Sequence, residues 1–285
     1  MPARYIAFLQ GLREAGYVEG RNLVIEWRYG DDDPQRIGTF AAELVRLKVD
    51  VLVAGGSIAA RAAQKASPTV PIVMLGVGDP VGSGLANSLA RPGGNATGVS
   101  LMNPELGGKW LEIARSVVPT LTAAALFINP TNPAFKPTLA SLRKATAAAG
   151  ISLEAIEVAT SAEIGKGFTR VRQVRAPVLF VQNESMFDES SRQIAELAVQ
   201  ARISTITGRR EFVESGCLVG YGSNLVEVYR RAASYVDRIL KGAKPGDIPI
   251  EQPTSYELVL NAKTAKALGI VLPKELLLRA DRVIE

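Results

Sequence analysis

The chain has 285 residues, no histidine and one cysteine, Cys217, which excludes a Ser-His-Asp triad, a Cys-His pair, an internal disulfide and nearly all zinc sites. Its hydrophobic share of 47% and charged share of 21% are those of an ordinary globular chain, and no apolar run approaches membrane-spanning length. A net charge of +5 arises from 33 Lys and Arg interleaved with 28 Asp and Glu, which reads as a mixed, solvated surface and argues against nucleic acid as a partner.

Tyr5, Phe8, Leu9 and Leu12 mark one face of a helix that ends at Gly16. The chain opens on this helix, with no basic segment followed by an apolar stretch, so no secretory signal is expected in the sequence as it stands. After a turn at Tyr17 to Arg21, Asn22 to Tyr29 is expected as a strand. Asp31-Asp32-Asp33-Pro34 is an acidic start to a helix whose apolar face is Ile37, Phe40, Ala41, Leu44, Val45 and Leu47. Val49 to Ala54 reads as a strand closed by Gly55-Gly56-Ser57, followed by a helix from Ile58.

Val70 to Leu75 is a short apolar run suited to a strand buried on both faces. It breaks at Gly76, Gly78, Asp79 and Pro80, before a predicted short helix, a glycine-rich turn and a strand reaching Ser100. Gly78-Asp79-Pro80 has two readings. Asp79 is the N-cap of a helix with Pro80 at its first position, or it is a carboxylate aimed into a crevice at a strand's C-terminal end.

A helix starts at Asn103-Pro104-Glu105-Leu106, and a second alternating series follows. Its strands are Ala123 to Asn129, Ser152 to Val158, Pro177 to Gln182 and Ile203 to Thr207. Its helices are Lys136 to Ala149, Ser161 to Val174 and Asp188 to Ala201. Beyond it come a turn-forming link at Glu211 to Gly216, a strand at Leu218 to Gly222 and a long helix from Asn224 to Leu240. Tyr256 to Asn261 is a strand, Ala262 to Leu268 a helix closed by Gly269, and Pro273 to Val283 a final helix. Cys217 lies in an apolar run and reads as a buried structural thiol. Alternating elements with short connections predict an α/β fold of two parallel-sheet, doubly wound halves with a seam near Ser100.

Several segments in order carry a family resemblance. They are Gly11 to Gly20 with Asn22, Gly78-Asp79-Pro80-Val81, Arg91 to Ser100, Asn129-Pro130-Thr131-Asn132-Pro133, Arg210-Glu211-Phe212-Val213 with Gly216, Tyr221-Gly222, Ile239-Leu240-Lys241-Gly242 and Ala265 to Gly269. Over nearly its whole length the chain resembles the ABC-transporter substrate-binding proteins of the tryptophan/tyrosine-type branch. The resemblance implies a type I periplasmic binding protein, two doubly wound domains joined by a three-crossing hinge that close on a small molecule. It implies domains at 1–100 plus 214–248 and at 101–213 plus 249–285. It also implies an ABC permease as partner, a periplasmic or lipid-anchored extracellular location, a monomer, and neither cofactor nor catalytic residues. Members carry a signal peptide and a first strand ahead of the first helix, where this chain begins. That strand is central to its sheet, so the resemblance implies unpaired backbone on two neighbouring segments.

Within that fold the expected ligand is a small carboxylate, an aromatic or branched amino acid foremost. Gly56, Ser57 and Ile58 open a helix whose amino end favours a carboxylate. Asp79, beside Pro80, suits an ammonium group, and Ser100 ends the strand at the first crossing. Asn129, Thr131, Asn132, Asn183 and Ser185 supply hydrogen bonds or cap turns. Phe212 and Tyr221 stack on the ligand or pack the hinge, and Glu211 faces the cleft or pairs with Arg209 or Arg210. Two other classes stay open: the ligand-sensing domain of a regulator, for which no helix-turn-helix is visible, and an α/β enzyme, for which no P-loop or GxGxxG follows a strand.

Overall fold

A computed structural model describes residues 2–30, 33–101, 106–253 and 255–285. In chain order the elements begin with α1 (Ala3–Glu14), α2 (Pro34–Arg46), β1 (Leu52–Gly55), α3 (Gly56–Ala66), β2 (Ile72–Val77), β3 (Ala96–Ser100), α4 (Gly107–Val117), β4 (Ala123–Ile128) and α5 (Phe135–Ala148). They continue with β5 (Ser152–Glu157), α6 (Ile164–Gln173), β6 (Val178–Val181), α7 (Ser185–Glu189), α8 (Ser191–Gln200), β7 (Ser204–Thr207), α9 (Arg210–Glu214) and β8 (Val219–Gly222). The last are α10 (Leu225–Leu240), β9 (Glu257–Asn261), α11 (Ala262–Leu268), α12 (Lys274–Arg279) and β10 (Arg282–Ile284). The chain divides into two compact units, Met1–Met102 with Asn224–Thr254, and Asn103–Ser223 with Ser255–Glu285.

The first unit is built on a three-stranded parallel sheet in the order β1-β2-β3. Period-two alternation along β2 sends Val73 and Leu75 to one face and Ile72 and Met74 to the other, and both faces are covered. On the first face lie α1 and α10, which contribute Phe8, Leu12, Val228, Ala232, Tyr235 and Val236. Asn224 caps α10 by accepting from Val226 N and Glu227 N at 2.9 and 3.3 Å. The two helices approach so closely that a Cβ on Gly11 would stand 2.6 Å from the Arg230 carbonyl oxygen, which explains the glycine. On the second face Ala60 and Ala63 of α3 pack with Leu52, Met74 and Ala96.

The second unit holds a seven-stranded sheet in the order β10-β9-β8-β7-β6-β4-β5. All neighbours are parallel except β8 and β9. Alternation again sorts the side chains. Leu126, Ile128, Val178 and Phe180 meet α4 and α5, whereas Ala125, Phe127, Leu179 and Val181 meet α6, α7 and α8. Trp110 anchors α4, its ring stacked on Phe180 at 6.3 Å and its Nε1 donating to the Tyr221 carbonyl at 2.8 Å.

Several sequence expectations are corrected. Residues 24–30 form no strand, and Leu23 makes only an isolated bridge to Glu19. Much of the run alternates half-buried and exposed residues as a strand does, with Val24 81% exposed, but among the described residues no strand pairs with it to complete a ladder. β1 is accordingly an edge strand, bonded to β2 alone among the described residues. Residues 80–85 form turns rather than a helix. Arg210–Glu214 is helical where a turn was expected. The helix expected over 188–201 is split into α7 and α8. The last helix stops at Arg279, because the open edge of β9 takes up Arg282–Ile284 as a parallel strand.

The unit boundaries differ too. The chain re-enters the first unit at Asn224 rather than at 214, since β8 is hydrogen-bonded into the second unit's sheet between β7 and β9. It leaves after Thr254 rather than at 248, since Ile250 N donates to Leu89 O and Glu251 N to Gly98 O. The expected helix start at Asn103, Pro104 and Glu105, and Asp31 and Asp32 before α2, lie outside the described residues. Asp33 caps α2 with bonds from Gln35 N and Arg36 N.

Candidate functional site

In a parallel sheet every strand ends on the same edge, and ligands favour the point on that edge where the strand order reverses. In the second unit that point lies between β4 and β6: the chain steps from β4 out to β5, returns past β4 to β6, and continues to β7. The segments that leave these strands converge there. Asn129 N donates to Gln182 Oε1 at 2.9 Å, and Asn129 Nδ2 donates to Glu184 Oε1 at 3.2 Å. Asn129 Oδ1 accepts from Thr131 N and Thr131 Oγ1 at 3.0 and 2.7 Å, and Asn132 Oδ1 accepts from Ala134 N at 2.9 Å to launch α5. β7 ends beside them in Gly208-Arg209. A Cβ on Gly208 would stand 2.0 Å from Asn183 Nδ2, so only glycine lets the Asn183 amide lie against this strand end.

Two carboxylates lie at this edge. Asp188 of α7 forms an ion pair with Arg209, the two side chains being 9% and 10% exposed. Glu184 is 3% exposed. Burial pushes its carboxyl above the usual carboxylate range, against the opposing pull of the Asn129 amide, the Arg209 guanidinium and the Asn132 amide. The structure thus gathers Asn129, Thr131, Asn132 and Asn183, with Ser185 half-buried at the start of α7. It adds Gln182, Glu184, Asp188 and Arg209, which sequence reading passed over. The available signal was three polar residues, Gln182-Asn183-Glu184, directly after the apolar run of β6.

Other expected residues fall differently. Phe212 is fully buried in the apolar core with Phe187, Ile194 and Cys217, and its ring has no face open to a ligand. Tyr221 stacks on Tyr256 at 5.8 Å. Glu211 is half-buried in α9, and the ion pairs of its neighbours run elsewhere, Arg209 to Asp188 and Arg210 to Glu214 and Glu257. Burial pushes the Cys217 thiol up to about 12, which suits packing and not nucleophilic chemistry.

In the first unit, β1 runs directly into α3, which begins at Gly56 with no side-chain cap. The first N–H groups of a helix have no intrahelical partner and carry a partial positive charge. Ser57 Oγ accepts from Gly78 N at 3.4 Å and so ties the ends of β1 and β2 together, with Ile58 half-buried beside it. Asp79 Oδ1 accepts from Gly82 N at 2.8 Å, so the carboxylate caps the turn that follows buried Pro80. Ser100 is fully buried and its N–H donates to Glu251 O at 2.8 Å. An aromatic group missed in the sequence sits at the same strand end. The Tyr229 hydroxyl lies 3.1 Å from where a Cβ on Gly55 would be, and Tyr5 meets Tyr229, Trp27 and Tyr29 edge-on at 5.4, 5.8 and 6.3 Å. Among the described residues no cluster of His, Cys, Asp and Glu could hold a metal ion.

The comparisons with known proteins agree with this architecture. Residues 1–284 match the family model for ABC transporter substrate binding proteins. A tyrosine-binding protein of Clostridioides difficile is 27% identical over 264 residues, covering 92% of this chain and 75% of that protein. A conserved domain protein of Vibrio cholerae has the same fold with a TM-score of 0.94 and 27% identity, covering 99% of this chain and 94% of that one. A Streptococcus pneumonia domain solved with L-Trp shares the fold at a TM-score of 0.93 and 24% identity, with the same coverage. The chain therefore belongs to the ABC transporter substrate-binding protein family, and it is the solute-binding component of an importer rather than an enzyme.

Proposed function

We propose that the solute is an amino acid, with an aromatic or branched side chain. The observation that carries this reading is the similarity, along 92% of the chain, to the tyrosine-binding protein of C. difficile. The chemistry of the strand ends supports it. In the first unit the open amino end of α3 suits a carboxylate, and Gly56, Ser57 and Ile58 are its candidate contacts, with Asp79 and Pro80 on the adjoining turn and Ser100 behind them. In the second unit Asn129, Thr131, Asn132, Asn183 and Ser185 form a polar rim able to hydrogen-bond a zwitterion.

Family membership implies an ABC permease as partner and work outside the cytoplasm. The finer reading is a periplasmic or lipid-anchored monomer that delivers its amino acid to that permease and uses no cofactor. Isothermal titration calorimetry against the twenty L-amino acids tests the proposal. Saturable heat is expected with at least one aromatic or branched member, and no heat with any of them overturns it.

A further inference from the structure

The strand-end edge of the second unit buries more negative charge than it balances. Arg209 pairs with Asp188 and also attracts Glu184, so one guanidinium faces two buried carboxylates, whereas Arg210 is engaged with Glu214 and Glu257. Glu184 is nearly as buried as the core around it, and the groups that hydrogen-bond it are all neutral, the amides of Asn129 and Asn132 and the backbone N–H of Phe187. A buried carboxylate without full compensation is costly, and such groups persist where a cation or donor completes them. A second observation lies beside it. Gln182 is fully buried, its Oε1 is taken by Asn129 N, and its Nε2 has no hydrogen-bond partner; Asp188 Oδ1 is likewise buried without one. These groups stand where β4 and β6 diverge, the point in the sheet that favours a ligand.

We propose that Glu184, held in place by Asn129 and Asn132 at the divergence of β4 and β6, accepts the ammonium group of the ligand and makes the protein selective for zwitterions over simple carboxylates. The proposal rests on the amino-acid reading above. One strand end thereby supplies a counter-charge to the ligand's ammonium, and the neutral amides of Asn129 and Asn132 orient the carboxylate. The Asp188–Arg209 pair ties α7 to the end of β7 beside it.

Calorimetry on the whole protein tests it with the tightest amino acid of the panel and the acid that lacks only its α-amino group; for L-tyrosine that is 3-(4-hydroxyphenyl)propionate. Hydrogen bonds to charged groups lead us to expect a preference of about 100-fold for the amino acid. Glu184→Gln, which keeps the shape and the acceptor oxygen, should weaken the amino acid by a similar factor and leave the des-amino acid unchanged or tighter. Equal binding of both probes by the natural protein overturns the assignment, as does a Glu184→Gln protein that keeps the preference. If Glu184→Gln fails to fold by circular dichroism, the preference of the natural protein decides alone. Amino-acid binding without the preference removes only Glu184 from its role. Failure of every amino acid to bind removes the functional reading and this assignment together.

Discussion

The two units are made from the same alternation of apolar strands and amphipathic helices, yet one sheet has three strands and the other seven. In the second unit each strand near the centre is flanked on both sides and both faces are covered, so the strand ends can hold Gln182, Glu184 and Arg209 almost out of water. In the first unit, among the described residues, β1 is bonded to β2 alone and 24–30 forms no ladder, and Val53 is 39% exposed. At its strand ends Ser57 and Ser100 are buried, but the carboxylate there, Asp79, is half-buried and caps a turn. A strand-end carboxylate flanked by paired strands and covered on both faces is thus held out of water, as Glu184 is, whereas Asp79 in the smaller sheet keeps contact with solvent.

The chain's two tryptophans allow this contrast to be probed, since Trp27 belongs to the first unit and Trp110 to the second. In urea, a Trp110→Phe protein reports the first unit and a Trp27→Phe protein the second. The first unit is expected to show the lower midpoint, and coincident transitions would erase the contrast. The largest mutational effect is expected from Phe127→Ala. This ring is fully buried between Phe168 and Phe187, and its loss should cost about 3–5 kcal/mol, read as a lower midpoint at Trp110.

Acidity offers a gentler test, confined to the second unit. The raised Glu184 pKa means that the folded state binds more protons than the unfolded state between the ordinary carboxylate value of 4.5 and the raised one. Stability of the ligand-free protein should therefore fall as pH rises through that window. Glu184→Gln should remove this part of the slope in urea titrations at several pH values, and an unchanged slope would mean that Glu184 is not buried as described. In the first unit, Asn224→Ala removes the cap of α10 and should cost about 1 kcal/mol at the Trp27 transition. The smallest effect belongs to Glu14→Gln, which breaks the Glu14–Arg230 pair. Both side chains are about half exposed, and the change is expected to stay within about 0.5 kcal/mol by the same measurement.

Sequence reading located most strands of both sheets and the long helix α10, because these depend on local periodicity and short-range caps. It located part of the polar rim, since Asn129 and Asn132 sit in a Pro-rich turn after an obvious strand. It passed over Glu184, because a glutamate in a turn looks the same whether solvated or buried. Phe212 shows the converse: an aromatic ring in a linking segment suits ligand stacking or packing equally, and only the tertiary neighbours place it in the core.

Legible in the residues alone were the α/β class, the two alternating halves, the exclusion of histidine- and cysteine-based chemistry, and a strand from Val70 to Leu75, which the structure extends past the expected break at Gly76 to Val77. Those follow from residue types and spacings within a few turns of chain. Long-range packing alone puts Val219–Gly222 in the second sheet, leaves 24–30 without a strand partner among the described residues, and buries Glu184. Strand partnership and burial are set by segments distant in sequence, and no local pattern encodes which neighbour arrives.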